Sequence, residues 1–491
     1  MPESCPVNSE LLPQFDESAP VRSGGLASLG RNSRVALAGG LASQALKFLV
    51  IVDVARSYGA TDFGSFSFAA SVNAFIYVVS QFGLPVFAAR EVAQSGRVNP
   101  RLARSVSEAR LLLAVAVTGI ALAVLFFVPS VSAEELLLVL GFGLSDVALA
   151  FLYDWAFQGL GKLQGWAALN VLWQMLWLVL TIAAVRAHAS IAAVAFAYAA
   201  GAGVAAAAGW MWLRRLSRIR AAAESVPSPT YSAWGVLRSG SALGVATMFI
   251  AVLVWSDTIV VRLIGGPHAA GIYAAGNRAA LALATLSSFY VLGAFSHLSV
   301  SAAGSPGEFR QYFRRCYRDM ALLFVPGSIW AMFYAPQILL AIFKHKEYLA
   351  AVPIFRIFQI FLLLNIASNL YGVGALVSHR RDRVYRRTLA ASAAVILVLC
   401  PILALRWGGV GAAIAALASQ GLSLMIFAVE TRRLVRVEHF RMLVLPVFAG
   451  LVPVALGAAL HLGFGEAVVA LGLTYLVVLG WKGPVWRLAA G

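Results

Sequence analysis

Residues 58–66 read YGATDFGSF and residues 265–273 read GGPHAAGIY. Gly59, Gly64 and Phe66 in the first stretch match Gly266, Gly271 and Tyr273 in the second, each pair separated by 207 residues. Both stretches lie between long apolar runs, as the turn of a helical hairpin does. Applied to the runs before residue 213, the offset reproduces the runs up to about residue 420. The expectation is a duplication of six helices and six helices. Six is an even number, so the two copies have the same orientation in a bilayer, a parallel repeat about the membrane normal.

The bilayer follows from composition. Of 491 residues, 60% are hydrophobic and 12% charged, about half the charged fraction of a soluble domain. Fourteen apolar runs of spanning length can be placed between residues 34–56 and 466–482, since about 20 helical residues cross the hydrocarbon. The predicted fold is an all-α polytopic membrane protein of about 14 transmembrane helices, two six-helix lobes plus two extra C-terminal helices. Its expected divisions are a disordered cytoplasmic tail (1–33), an N-lobe (34–213), a cytoplasmic linker (214–239) containing Pro227 and Pro229, a C-lobe (240–429), and residues 430–491 with the last two spans.

The net charge of +17 would suggest nucleic acid in a soluble chain. Here the positions of the basic residues give it another meaning. With the amino terminus inside, 29 of the 38 Lys and Arg fall in cytoplasmic segments, six on the other side, and Lys47, Arg278 and Arg356 within spans. This is the positive-inside pattern. Both termini are therefore expected to be cytoplasmic, and clusters such as Arg380, Arg381, Arg383, Arg386 and Arg387 to face anionic lipid. Nucleic acid is excluded as a partner. The first residues lack the basic segment and short apolar core of a signal peptide. Cys5, Cys316 and Cys400 make neither a disulfide framework nor a metal site.

A charge kept inside a span usually faces protein or a water-filled cavity. Lys47 and Arg278 lie near mid-membrane, with Gln44, Ser71, Asn73 and Asn277 at similar depth on spans one, two and eight. These six are the candidate lining of a polar, basic cavity between the lobes; the alternative is structural pairing of Arg278 with Asp257 and Lys47 with Asp53. Asp146, Asp257 and Asp53 are candidates for H+ or Na+ coupling. No metal site or other cofactor is expected. The tryptophans near span ends, Trp155, Trp173, Trp210 and Trp255, fit interfacial belts. GxxxxGK[ST], HExxH and GxSxG are absent, and the short outer connections leave no room for an enzyme domain.

Three stretches resemble the Wzx-type polysaccharide flippases of the multidrug/oligosaccharidyl-lipid/polysaccharide exporter superfamily. The first is Gln44 with Tyr58, Gly59, Asp62, Phe63, Gly64 and Phe66, then Phe82, Gly83 and Leu84. The second runs from Asp154 through Trp155 and Phe157 to Gly159. The third joins Trp255, Ser256 and Asp257 to the run from Gly271 to Ala275. The resemblance implies a two-lobed alternating-access transporter of the bacterial inner membrane. Its substrate would be an undecaprenyl-pyrophosphate-linked oligosaccharide used for O-antigen, capsule or exopolysaccharide, and its partners a polysaccharide polymerase and a chain-length regulator. Alternatives are a lipid II flippase, a multidrug antiporter, and a membrane-embedded polysaccharide ligase or polymerase.

Overall fold

The chain reverses direction where only glycine can follow. Gly59 has φ +78° and ψ 179°, and Gly266 has φ +79° and ψ 178°, a backbone region essentially closed to other residues. Each glycine breaks an otherwise continuous helix into two legs: α1 (Leu26–Gln81) at the first and α8 (Ala233–Ala303) at the second. Unbroken, the 56 residues of α1 would run about 84 Å at about 1.5 Å per residue, far beyond a hydrocarbon core of about 30 Å. The break makes a hairpin of it.

The computed structural model describes residues 26–221, 232–435, 439–460 and 463–482. The first 25 residues of the expected tail, Pro227 and Pro229 of the expected linker, and the last nine residues lie outside the described residues. Between the two hairpins come α2 (Leu84–Ser95), α3 (Pro100–Phe126), α4 (Ala133–Leu149), α5 (Asp154–Gly159), α6 (Leu163–Arg186) and α7 (Ala192–Ala221). After the second come α9 (Pro306–Phe333), α10 (Ala335–Phe343), α11 (Val352–Asn369), α12 (Asp382–Thr431), α13 (His439–Ala459) and α14 (Phe464–Lys482). Three helix starts among the described residues carry side-chain caps, those of α3, α4 and α8. Asn99 accepts from the Arg101 amide ahead of Pro100, and Ser132 with Glu135 forms a capping box, each satisfying amides that the first turn leaves without partners.

Eight helices are long and apolar enough to cross a bilayer as they stand, or nine with α9 and α10, which meet at an 85° bend, taken as one span. Three of the eight are double: one runs through the Gly59 break, another is α8, and α12 breaks at Trp407 and Gly408. Counting each leg separately, and including the shorter α4 and α14, the described residues contain the fourteen legs expected from sequence. The fold is all-α and polytopic.

The two hairpins pack on each other through their matched glycines. A β-carbon on Gly64 would overlap the Pro267 carbonyl oxygen, and one on Gly271 would overlap the Ala60 carbonyl oxygen. Pro267 follows Ala60 by the same 207 residues, so the contact is reciprocal, as two copies related by a rotation make it. Small residues let helix backbones approach this closely. Gly64→Ala is expected to force the hairpins apart and lower stability by about 1–3 kcal/mol, the usual cost of overpacking. Gly119→Ala, where nothing lies within 4 Å, serves as the control. Thermal unfolding of the purified protein in detergent measures both; equal melting of Gly64→Ala and wild type would mean that the backbones do not meet there.

Candidate functional site

Near these hairpins the two halves are bound tightly. Arg56 donates from Nε to the Ile342 carbonyl (2.6 Å) and from Nη2 to the Ala341 carbonyl (2.9 Å). The Glu347 carboxylate accepts from the Ala60 amide, and the Tyr348 hydroxyl donates to the Ala55 carbonyl. Behind them Phe63 contacts Phe343 and Tyr348, with ring centroids 6.3 Å apart in both cases. A buried ion pair also joins the halves. Arg262 on α8 donates from Nε and Nη2 to the two oxygens of Glu135 on α4, both at 2.6 Å, and from Nη2 to the Ser130 carbonyl at 2.8 Å.

On the other side of this seal lies a cavity of about 580 Å³. The first leg of α1 contributes Gly40, Ser43, Gln44, Lys47 and Ile51; the second contributes Ser67, Ala70, Asn73, Ala74, Tyr77 and Val78. From α6 come Trp166, Asn170, Trp173, Gln174 and Trp177, from α7 Tyr198, and from α8 Trp255 and Arg278. None of the lining residues is acidic. Lys47 and Arg278 face the same space and lie close enough to repel each other. The Arg278 guanidinium stacks 4.2 Å from the centre of the Trp255 ring, an arrangement that fixes its plane and leaves its N–H edge for a planar or tetrahedral anion.

Four of the six expected lining residues are in the wall: Gln44, Lys47, Asn73 and Arg278. Ser71 and Asn277 are not. The Ser71 hydroxyl is buried and donates to the Ser67 carbonyl at 2.8 Å, and Asn277, 1% exposed, lies against Tyr273 behind the wall. The reason is azimuth. Two residues along a helix turn about 200°, so Ser71 and Asn73 share a depth and point in opposite directions.

The pairings weighed against a cavity do not form. No ion pair joins Arg278 to Asp257 or Lys47 to Asp53 among the described residues. Asp257 instead accepts from the Tyr273 hydroxyl at 2.6 Å and from the Thr258 amide, outside the wall but near enough to Arg278 for the two charges to attract. Asp53 also lies outside the wall and sits near Arg56 and Arg186. Asp146 is buried one layer behind Asn73. With its amide nitrogen toward Asp146, as the surrounding donors and acceptors require, Asn73 donates to Oδ2 at 2.9 Å and to the Phe142 carbonyl at 3.2 Å. Among the described residues, Asp146 is thus the candidate acid that a lining side chain reaches by a hydrogen bond.

Five more residues are placed differently from the sequence reading, three tryptophans and two arginines. Trp173 and Trp255, expected in interfacial belts, line the cavity, and Trp155 is fully buried. Trp210 is 41% exposed with Arg214 stacked over it. Arg110 and Arg262, counted with the loops, are 2% and 3% exposed; Arg110 donates to the Leu152 carbonyl at 3.1 Å. Hydropathy assigns a charge near a span end to the interface, whereas packing from a neighbouring helix can cover it. One signal for the wall was available: residues 166, 170, 173, 174 and 177 recur at the spacing of a single helix face.

Comparison with known proteins agrees with this architecture. A family model described as "Polysaccharide biosynthesis protein" matches residues 29–295. No curated protein sequence matches the chain. Among solved structures, the fold is similar to "Lipid II flippase MurJ, inward closed conformation", at 11% identity and a TM-score of 0.68, covering 90% of this chain and 97% of that one. It is also similar to an inward-facing multidrug resistance MATE family transporter of the MOP superfamily (12% identity, TM-score 0.59, 82% of this chain and 98% of that chain). The eukaryotic MATE transporter AtDTX14 gives 12% identity and a TM-score of 0.58 over 83% of this chain and 95% of its own.

Proposed function

Because this chain belongs to the polysaccharide biosynthesis protein family, we propose that it is an alternating-access flippase for an undecaprenyl-pyrophosphate-linked oligosaccharide in a bacterial inner membrane. The observation that carries this reading is Lys47 and Arg278 facing one cavity whose lining has no acidic residue. Two cations in a wall that carries no acid favour a multiply charged anion, and a diphosphate answers that need through charge-assisted hydrogen bonds. The same arrangement disfavours the cationic drugs of a multidrug antiporter. A diphosphate with its sugars cannot cross hydrocarbon unaided, while its polyprenyl tail can stay in lipid.

With both termini cytoplasmic, the sealed hairpin end faces outward and the cavity lies toward the cytoplasm, where such precursors are made. Reopening on the outer side would deliver the repeat unit to a polymerase and a chain-length regulator. Asp146, reached through Asn73, is the acid through which H+ or Na+ would be coupled.

Cells lacking the protein are expected to accumulate lipid-linked repeat units on the cytoplasmic leaflet and to lose surface polysaccharide while precursor synthesis continues. Leaflet-specific labelling of the lipid-linked sugar measures this. An unchanged distribution would overturn the transport reading, and accumulation of lipid II in its place would transfer the assignment to cell-wall precursor.

A further inference from the structure

The cavity is chemically lopsided. Its cations, Lys47 and Arg278, come from α1 and α8, whereas one face of α6 supplies Trp166, Asn170, Trp173, Gln174 and Trp177. The indoles of Trp173 and Trp177 are held in place by their N–H groups, which donate to the Tyr198 and Val194 carbonyls of α7, both at 3.1 Å. Tyr198 packs against both rings, with centroids 4.8 and 4.5 Å away. Trp166 stands at one end of this cluster, partly exposed. The polar groups on the same face are amides with acceptors to spare. Asn170 uses its nitrogen on the Trp166 carbonyl at 2.9 Å, which leaves its oxygen. The Gln174 amide, in a residue 8% exposed, hydrogen-bonds the Tyr198 side chain, while its Oε1 has no hydrogen-bond partner among the described residues.

We propose that this α6 face is a saccharide-recognition subsite, distinct from the cation pair that holds the diphosphate. The proposal rests on the flippase reading and names the part of the substrate that each wall selects. A pyranose presents a flat face of C–H bonds and a rim of hydroxyl donors; rigid aromatic surfaces suit the first, and uncharged amide acceptors suit the second. A buried acceptor without a donor is costly, so Gln174 is poised for a hydroxyl rather than for an apolar ligand. Discrimination follows the same logic, because a sugar lacking the hydroxyl that Gln174 meets would leave that acceptor unpaired.

The test uses the full-length protein in lipid nanodiscs and two probes: undecaprenyl pyrophosphate without sugar, and the lipid-linked oligosaccharide extracted from membranes of the host. Wild type is expected to bind the second more tightly. Trp166→Ala and Gln174→Leu are expected to weaken binding of the oligosaccharide lipid by about tenfold or more, a difference of about 1.4 kcal/mol, and to leave the sugar-free lipid unaffected. Trp166→Phe, which keeps a ring, should recover part of the loss. Arg278→Ala should weaken both probes alike. The proposal is overturned if wild type binds the two lipids equally, or if the α6 variants bind both as wild type does or lose both in parallel. Failure of the flippase reading has a different signature: Arg278→Ala then binds both lipids unchanged.

Discussion

Glu135→Ala is expected to lower the stability of the protein by about 3–5 kcal/mol, the cost of leaving a buried charge without its partner. The carboxylate is fully buried and accepts from Arg262 Nε and Nη2 at 2.6 Å and from the Ser132 amide at 2.9 Å. Removing it leaves Arg262, 3% exposed, with the Ser130 carbonyl and the face of Phe68, 5.7 Å away. The first turn of α4 would lose its capping box as well. Glu135→Leu combined with Arg262→Met should restore most of the loss, because an apolar pair of similar volume often replaces a buried ion pair at little cost. Unfolding of the purified protein in detergent measures both variants against wild type. A single variant as stable as wild type would mean that the pair does not hold the two halves together.

The second large effect is on transport. Arg278→Ala is expected to reduce translocation of the lipid-linked repeat unit by about tenfold to a hundredfold, since hydrogen bonds to charged groups contribute about 1.5–3 kcal/mol and each 1.4 kcal/mol is about tenfold. Arg278→Lys should keep a fraction of the activity: it retains the charge and loses both the fork geometry and the stacking on Trp255. Lys47→Ala should give a defect of the same kind, and the double variant should be close to inactive. Lys47 and Arg278 line one cavity whose wall carries no acid, so an anion between them would use both. Surface polysaccharide, with the leaflet distribution of its precursor, measures the outcome, and membrane abundance must stay normal for it to count. Wild-type transport by the double variant would remove the cation pair from the site.

The 207-residue offset and the alternation of basic loops make the helix count and the doubled hairpin legible in the sequence. Hydropathy and loop charge act locally along the chain, and a glycine needed at a turn leaves its mark wherever the turn recurs. Depth was legible too, because rise per residue converts position along a span into distance from its end. Lys47, Arg278, Gln44 and Asn73 were found on that basis. Depth alone also selected Ser71 and Asn277, which the rotation of their helices turns away from the cavity.

By itself, the sequence determined that this chain is an all-α membrane protein, how many legs it has and where it doubles back, since each of these depends on a window of residues and on the solvent around it. The tertiary structure alone decided which side chains share a space. It put Lys47 beside Arg278 and left Asp257 to Tyr273. It connected Asp146 to the cavity through Asn73, turned the tryptophans of α6 inward, and buried Arg262 against Glu135, 127 residues away. These outcomes depend on the rotation of each helix about its axis and on its choice of neighbour, and packing between distant segments sets both.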